Sequence, residues 1–381
     1  MKPSNGNPYR PLDKCIDCKR CMQNCPMLLR HCDKPTDLFN QPDRLTADDG
    51  IVAFSCTLCG YCDQVCPTGV SLKSRFFDIK QDLINKNGYP KAFGKRALDF
   101  HQTNGFSATF ATNLSADAPQ NTTRPVRRVF FPGCNISAGS PSLVQSVYDY
   151  LNEYEPTEVL MKCCGSPTYT TGQKHAHGQM NASLVADFEA LGVEEVVVLC
   201  MNCRNRFLEH IPGLVVKTIW EVMLEDGLPP LTLAQRHVID QSPVFALHDP
   251  CPTRHAPGVL DAVRTIIHRY DIPMEEFQLN RTMTVCCGSG AMLPLVDMET
   301  AKSHMKARAN QTKSKNILTY CGECVQSMEV GGKPSVHLLD LIFSERSPLL
   351  VGTPNPTALQ RWWNRFLVKR WVDKARKKLS L

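Results

Sequence analysis

Several features that would place this chain in a membrane, in a secretory pathway or among nucleotide-binding proteins are missing from its sequence. The 381 residues contain no apolar run of eighteen or more, which a membrane-spanning helix needs. The first residues, Met1 to Asn5, show neither an apolar signal core nor a twin-arginine pair, so we expect a cytoplasmic protein. A GxGxxG turn between a strand and a helix and a C-x-x-C-H haem site are also missing. The chain therefore lacks the usual motifs for a flavin, a nicotinamide nucleotide or c-type haem.

Cysteine, by contrast, is abundant, with nineteen residues. Disulfide frameworks are typical of small secreted domains, whereas this chain is long and shows no secretion signal. The cysteines also fall into short, regularly spaced clusters. Metal ions or iron-sulfur clusters are therefore a better interpretation than disulfides, and we expect eighteen of the nineteen cysteines to be ligands.

Two copies of the motif C-x2-C-x2-C-x3-C-P lie near the N-terminus. In two-cluster bacterial ferredoxins with this motif, the fourth cysteine binds the cluster of the other copy. Two zinc sites are the alternative, but zinc sites do not need such interleaving. We therefore predict two cubane [4Fe-4S] clusters with four ligands each. One cluster is expected on Cys15, Cys18, Cys21 and Cys66, and the other on Cys56, Cys59, Cys62 and Cys25.

The surroundings of these motifs indicate a helical domain. Apolar residues recur at helical spacing from Ser71 to Asn87, and Gly88 follows as a stop signal. This pattern predicts a helical ferredoxin-type domain rather than a minimal β-ferredoxin. Cys32 fits neither motif, so it is expected to be a buried or solvent-exposed thiol and not a ligand.

The remaining ten cysteines form a repeat of about 120 residues. Each copy contains a single cysteine, then a Cys-Cys-Gly triplet, then a C-x-x-C pair. The first copy comprises Cys134, Cys163, Cys164, Cys200 and Cys203, and the second comprises Cys251, Cys286, Cys287, Cys321 and Cys324. Five thiolates are too many for one tetrahedral zinc ion and suit a larger iron-sulfide unit. A structural disulfide in each copy is the alternative.

Short apolar runs before these cysteines predict buried strands, at 128–131, 196–199, 244–247 and 317–320. Helical patterns between the runs, including Pro141 after Ser140 and the stretches 257–270 and 298–311, predict parallel α/β units. Because sites in such sheets form at the carboxyl ends of the strands, each set of five thiolates is expected to converge at one sheet edge. Gly133 and the glycines after the cysteine pairs would permit tight turns there. The fold class is therefore α+β multidomain: a helical dicluster domain followed by two α/β domains with parallel sheets.

This doubled cysteine pattern resembles the CCG-domain iron-sulfur oxidoreductases, and together with the two N-terminal motifs it is similar to the single-chain catalytic subunit of heterodisulfide reductase. The same layout occurs in iron-sulfur subunits of anaerobic glycerol-3-phosphate and glycolate dehydrogenases. The resemblance implies a CCG-type, non-cubane [4Fe-4S] cluster on each five-cysteine set, giving the ten CCG cysteines a catalytic role. It also implies reduction of a disulfide, or oxidation of thiols, with electrons that arrive through the two cubane clusters. His248 and Asp249 are candidates for hydrogen bonds around the second CCG cluster.

A non-catalytic role is also open: an electron-transfer subunit that links a flavin dehydrogenase to a membrane quinone pool. The expected partners are then a flavin-containing or ferredoxin donor and a membrane cytochrome. Basic residues beside the ligands are candidates for substrate binding, although solvated surface charges are commoner. These are Lys162, Arg204, Arg206, Arg254 and His255.

The net charge of +6 is a local feature of the C-terminal tail, since Thr357 to Leu381 holds eight basic residues and one acid. Leu359, Trp363, Phe366, Leu367 and Trp371 fall near one helical face. An aromatic, basic and amphipathic helix is typical of peripheral membrane contact, here on the inner face of the cell membrane. Docking onto a partner subunit or onto the chain's own domain are the alternatives. Nucleic-acid binding is not expected, because the basic charge is confined to this segment.

These patterns predict five segments. They are a dicluster ferredoxin-type domain at 1–98, a linker at 99–126, CCG domains at 127–241 and 242–347, and a basic amphipathic tail at 348–381.

Overall fold

A computed structural model of the protein describes residues 7–89, 92–112, 127–351 and 356–379. The N-terminal domain is helical, as predicted. Two long helices follow the cysteine motifs, Leu72–Asn87 and Ala92–Asn104, and short helices lie between the motifs. The short helices are Pro26–His31, Pro35–Asn40, Asp43–Thr46, Ile51–Phe54 and Tyr61–Gln64, with a 3₁₀ turn at Asp48–Gly50.

The helix Leu72–Asn87 begins and ends where its sequence signals predict. The Ser71 hydroxyl accepts a hydrogen bond from the Ser74 N–H and caps the first turn. Gly88 ends the helix with a φ of 75°. The apolar face of this helix, with Phe76, Phe77 and Leu83 fully buried, forms the centre of the N-terminal core.

The first CCG domain is built on a parallel four-stranded sheet in the order β2-β1-β3-β4. Its strands are β1 (Arg128–Phe131), β2 (Thr157–Val159), β3 (Glu195–Val198) and β4 (Val215–Thr218). The helices that connect and cover them are Cys134–Gly139, Pro141–Tyr154, Ser166–Thr170, Lys174–Leu191, Met201–His210, Ile219–Glu225 and Leu233–Asp240.

The second CCG domain repeats this topology, with the strand order β6-β5-β7-β8. Its strands are β5 (Phe245–His248), β6 (Met274–Glu276), β7 (Asn316–Thr319) and β8 (Ser335–His337). Its helices are Pro257–Arg269, Leu293–Val296, Met298–Ala309, Gly322–Val330, Leu338–Phe343 and Pro348–Val351. Three 3₁₀ turns lie at Cys251–Thr253, Arg281–Met283 and Gly290–Met292.

The two CCG domains share one hydrophobic core. Buried side chains from both sheets and their helices form a single cluster, in which Trp220 of the first domain contacts Tyr320 of the second with ring centroids 5.9 Å apart. A shared core of this kind fixes the two repeats relative to each other, so the two sheet edges that carry the cysteines keep a constant arrangement.

The tail forms the helix Ala358–Leu379, which packs onto the first CCG domain. Val368 and Val372 are buried in the shared core, and the Asn364 side chain donates a hydrogen bond to the Ala138 carbonyl oxygen at 2.7 Å. The apolar face expected from the sequence is not the buried one, since Leu359 and Trp363 remain exposed. No described helix has the length and apolar character that a membrane span requires.

The stretch from 99 to 126, predicted as a linker, begins inside the helix Ala92–Asn104, and its residues 113–126 lie outside the described residues. The predicted domain boundaries therefore remain predictions.

Candidate iron-sulfur centres

In the N-terminal domain, the eight motif cysteines line two cavities. One cavity is lined by Cys15, Cys18, Cys21 and Cys66, and also by Cys62. A second cavity is lined by Cys25, Cys56, Cys59 and Cys62, together with Cys286 of the second CCG domain. The arrangement therefore suits the predicted exchange of Cys25 and Cys66 between the two clusters.

The loops that present these cysteines adopt backbone conformations uncommon for residues with side chains. Asp17 and Lys19, on either side of Cys18, have φ values of 50° and 60°, and Leu58 has a φ of 56°. Such conformations cost free energy and persist where the surroundings require them. Here they occur next to Cys18 and Cys59, two of the predicted ligands.

Cys32 lies outside both sets. It is buried, and its thiol donates a hydrogen bond to the Leu28 carbonyl oxygen at 3.2 Å. Burial raises the pKa of Cys32 to about 12. This environment favours a neutral structural thiol, because ligands must be deprotonated.

In the CCG domains, four of the six cysteine groups follow closely on a strand. Cys134, Cys200, Cys251 and Cys321 come two or three residues after β1, β3, β5 and β7. The Cys-Cys-Gly triplets follow their strands less closely, and Cys163 comes four residues after β2. Cys286 is separated from β6 by the turn Arg281–Met283, so its position depends on the loop rather than on a strand end.

The Cys-Cys-Gly turns are alike in the two domains. The Gly165 N–H donates to the Cys163 sulfur at 3.3 Å, and the Gly288 N–H donates to the Cys286 sulfur at 3.3 Å. Both glycines have positive φ, at 73° and 107°, which explains the glycine in each triplet. In both turns the backbone donates to a cysteine sulfur, an interaction that stabilises a thiolate.

The second cysteine of each pair is the most readily ionised. Hydrogen bonds from Cys163 and Cys203 lower the pKa of Cys164 to about 6. Hydrogen bonds from Cys286 and Cys324 lower the pKa of Cys287 to about 5. A thiolate surrounded by further buried thiols is the donor set expected for an iron-sulfur cluster, so these residues fit the group that the sequence predicts.

Among the described residues, two histidines place a ring nitrogen close to CCG cysteine sulfurs. His101, from the helix Ala92–Asn104, places Nε2 3.1 Å from the Cys163 sulfur, and burial lowers the pKa of His101 to about 4. A ring nitrogen of His248 lies within 4.8 Å of the Cys287 and Cys324 sulfurs. His248 was anticipated from its place before Cys251, whereas His101 lies in the predicted linker and carries no sequence signal that points to the site.

The first CCG site is covered by the C-terminal helix. Arg365 is 3% exposed and lies near Cys134 and His101. Trp362 packs edge-on against Phe100 and Phe110, with centroids 5.0 and 4.9 Å apart. The tail thus closes the first site and supplies a positive charge to it.

The second CCG site adjoins the N-terminal domain. Arg254 donates to the Cys59 carbonyl oxygen at 3.3 Å, and Cys59 and Cys286 line the same cavity. Gly290 touches the neighbouring loop so closely that a Cβ there would lie 2.6 Å from the Thr57 carbonyl oxygen. One predicted cubane cluster and the second CCG site are therefore direct neighbours.

The two CCG sites also lie side by side. Asn135, next to Cys134, donates to the Glu323 carboxylate, which lies between Cys321 and Cys324. On the other side, the Asn205 side chain donates to the Pro252 carbonyl oxygen at 2.9 Å. Residues adjacent to the ligands of one site thus contact residues adjacent to the ligands of the other.

The basic residues considered for substrate binding take different roles. Arg254 is buried between domains, and Lys162 is buried in an ion pair with Asp187. Arg206 stacks on Tyr169 at 3.9 Å and pairs with Glu209. His255 is exposed, and Arg204 has a buried Nε without a partner among the described residues. Only Arg204 and His255 remain candidates for contact with a substrate.

Comparison with known proteins agrees with this architecture. The 4Fe-4S dicluster domain family matches residues 11–70, and the cysteine-rich CCG domain family matches residues 128–207 and 245–329. No solved structure matches significantly.

Three curated relatives are similar over most of the chain. An uncharacterized iron-sulfur protein of Methanococcus maripaludis is 25% identical over 85% of this chain and 68% of its own. A subunit of the fumarate reductase (CoM/CoB) of Methanothermobacter marburgensis is 23% identical over 90% of this chain and 73% of its own. A subunit of the dihydromethanophenazine:CoB–CoM heterodisulfide reductase of Methanosarcina barkeri is 23% identical over 84% of this chain and 89% of its own. With one dicluster domain and two CCG domains in this order, the chain belongs to the CCG-domain iron-sulfur oxidoreductases.

Proposed function

We propose that this iron-sulfur oxidoreductase cleaves a small disulfide, or forms one from thiols, at its two CCG sites. The observation that carries the proposal is the adjacency of two complete five-cysteine sets, one of which adjoins the N-terminal cysteines. Cleavage of a disulfide to two thiols consumes two electrons and two protons. Each CCG cluster, when bound, would supply one electron.

The ligands assigned to these centres are the eighteen cysteines outside Cys32. Cys15, Cys18, Cys21 and Cys66 would hold the cubane [4Fe-4S] cluster that lies further from the CCG domains. Cys18 is exposed, so an external donor can approach this cluster closely. Cys25, Cys56, Cys59 and Cys62 would hold the second cubane cluster, which would pass electrons to the neighbouring CCG site.

The five cysteines of each CCG set would hold a non-cubane [4Fe-4S] cluster. The lowered pKa values of Cys164 and Cys287 support ligation in both sets, because thiolates bind iron. Arg254 would fix the distance between the second cubane cluster and the second CCG cluster, since it bonds to both domains.

The experiment that tests this function is stoichiometric disulfide cleavage. Protein reduced anaerobically and freed of reductant is mixed with a panel of small disulfides, and the released thiol is counted. We expect thiol release coupled to cluster reoxidation. A matched pair of variants, Cys203→Ser and Cys324→Ser, should each abolish it, because both CCG sites would be needed. Cluster reoxidation without thiol release would reject the proposal.

An electron-relay function is the second candidate, and the covered first CCG site favours it. His101, Trp362 and Arg365 lie over that site and restrict the approach of a substrate. In this case the chain would accept electrons from a flavin-containing or ferredoxin donor and pass them to a membrane cytochrome or quinone-linked partner. Electron transfer to a quinone analogue without thiol release is the result that would support this function.

We further propose that the C-terminal helix makes peripheral contact with anionic lipid at the inner face of the membrane. Its outward face carries Leu359, Trp363 and Leu367, which are 84%, 59% and 41% exposed. Arg370 and Lys374 continue the same face and are also exposed. Each basic residue near an anionic surface contributes about 1 kcal/mol, which supports a lipid surface as the occupant of this face.

A further inference from the structure

The two CCG sites differ in the residue that lies three positions before the first cysteine of each set. Counting back from the first cysteine of each set, Phe131 occupies in the first domain the position that His248 occupies in the second. Phe131 belongs to an apolar cluster that also contains Leu184, Phe188, Cys164 and Cys203. The corresponding side of the second site contains a polar pair instead.

That pair is fully buried and has a fixed hydrogen-bond direction. Arg308 donates from Nε to His248 Nδ1 at 3.0 Å. Because a guanidinium can only donate, Nδ1 must be the unprotonated nitrogen of the ring. The ring proton is therefore on Nε2, which has no partner among the described residues. A buried N–H without an acceptor is unusual and calls for an unseen partner.

The position of the ring suggests what that partner is. A ring nitrogen of His248 lies within 4.8 Å of the Cys287 and Cys324 sulfurs, which are themselves 3.4 Å apart. Arg308 is held in turn by Gln311 at 2.7 Å and by stacking on Phe277 at 4.0 Å. The Arg308 guanidinium is thus positioned independently of the cysteines.

We propose that Arg308 and His248 act as positioning residues that direct an N–H donor to the sulfur atoms of the second CCG cluster and raise its reduction potential. Hydrogen bonds to sulfur and nearby positive charge are known determinants of cluster potential. The proposal rests on the cluster proposed at that site. It implies that the CCG cluster beside the N-terminal domain is built to accept an electron from it.

The first site obtains its histidine differently. His101 reaches Cys163, the first cysteine of the pair, from the N-terminal helix, whereas His248 lies beside Cys287 and Cys324. Beside Cys164 and Cys203, the position equivalent to His248 is occupied by Phe131 within an apolar cluster. Phe131 therefore shows that the fold accepts an apolar ring at the His248 position, which makes His248→Phe a matched substitution.

The test is an EPR-monitored redox titration of anaerobically purified His248→Phe and Arg308→Met proteins. The signal of the second CCG cluster is identified by its loss in Cys324→Ser. We expect both variants to lower the midpoint potential of that cluster, with an about tenfold change in its reduction equilibrium, or about 59 mV for one electron. The first CCG cluster is the internal control and should not shift.

Each outcome decides the proposal. Unchanged potentials in variants with wild-type iron content overturn it, even if disulfide cleavage persists. If His248→Phe loses the cluster, Arg308→Met decides, because it keeps the imidazole and removes the guanidinium that fixes the tautomer and supplies a positive charge. Loss of disulfide cleavage with an unshifted potential would contradict this proposal alone, and wild-type protein without a CCG signal would contradict the proposed function.

Discussion

The Arg254 guanidinium of the second CCG domain donates hydrogen bonds to the main-chain carbonyl oxygen of Cys59 in the N-terminal domain, at 3.3 Å. The same guanidinium also bonds to the carbonyl oxygens of Thr282 and Thr284. One buried side chain thus joins the loop of a predicted cubane ligand to the loop that precedes Cys286.

Arg254→Met should therefore weaken both the fold and electron transfer between the domains. Removing the guanidinium leaves carbonyl groups without donors, at a cost of roughly 3 kcal/mol in the free energy of unfolding. Chemical denaturation measures this cost, and freeze-quench EPR measures how fast the second CCG cluster becomes reduced. Arg346→Met, at an exposed arginine, is the control and should change neither. Equal free energies of unfolding for the two variants would show that the Arg254 hydrogen bonds between the domains are dispensable.

A negative charge should have different effects on the two faces of the C-terminal helix: on the buried face it should lower stability, and on the exposed face it should reduce binding to lipid. The Val368 side chain is 0% exposed. Val368→Asp therefore places a carboxylate in the core and should lower the free energy of unfolding by roughly 3 kcal/mol or more. Leu359 is 84% exposed, so Leu359→Asp should leave the free energy of unfolding unchanged. It should instead reduce binding to vesicles that contain anionic lipid.

Cosedimentation with vesicles of phosphatidylserine and phosphatidylcholine measures that binding, and vesicles of phosphatidylcholine alone are the control. If wild-type protein stays in the supernatant with both kinds of vesicle, lipid contact is refuted. A partner subunit would then be the expected occupant of this face.

Cys32 and Cys25 provide a matched test of the ligand assignment in the N-terminal domain. Cys32→Ala should keep the iron content of the wild type and cost about 1 kcal/mol, because it removes one buried hydrogen bond. Cys25→Ala should remove the iron of one cluster, since Cys25 lines the cavity with Cys56, Cys59 and Cys62. Iron and sulfide analysis measures the cluster content of both variants, and EPR shows which cluster is lost. Iron loss in Cys32→Ala would show that Cys32 is a ligand.

The half-buried Asp340 should make stability depend on pH. Burial raises the pKa of Asp340 to about 6, above its ordinary value near 3.8. Between these values the folded protein keeps a proton that the unfolded chain has released, so stability falls as pH rises through this window and is constant above it. Asp340→Asn mimics the protonated form and removes the effect.

Asp340→Asn should therefore stabilise the protein by roughly 1 to 3 kcal/mol at pH 7, after allowance for solvent screening, and by about 1 kcal/mol less at pH 5. Anaerobic denaturant titrations across this range measure the difference. Asp261→Asn, at a side chain 64% exposed, is the control. A constant difference between wild type and Asp340→Asn at all pH values would contradict the assignment.

The sequence was sufficient for the features that depend on local patterns. The four central strands could be predicted because β1, β3, β5 and β7 are short apolar runs placed before cysteines. The outer strands β2, β4, β6 and β8 are not predicted, because they interrupt their apolar residues with polar ones such as Glu275. A continuous apolar run is typical of the central strands of a parallel sheet, which are covered on both faces.

What could not be predicted depends on contacts between distant segments. His101 lies in a stretch whose composition indicates a linker, and it reaches Cys163 only because the helix Ala92–Asn104, which carries it, packs against the first CCG domain. The tail has apolar residues on two faces, and the buried one contains Arg365, Val368 and Val372. No property of the tail sequence alone identifies which face contacts the core.

Thiol or disulfide chemistry at iron-sulfur clusters held by the two five-cysteine sets is what distinguishes the proposed function from an electron relay. EPR of anaerobically purified, oxidised protein, with roughly sixteen irons per chain if all four clusters are present, tests it most directly when small thiols are added. We expect a new paramagnetic signal that depends on the thiol and disappears in Cys324→Ser or Cys203→Ser. Signals that appear only on reduction, and do not respond to any thiol, would reject thiol chemistry at these clusters and identify the chain as an electron relay.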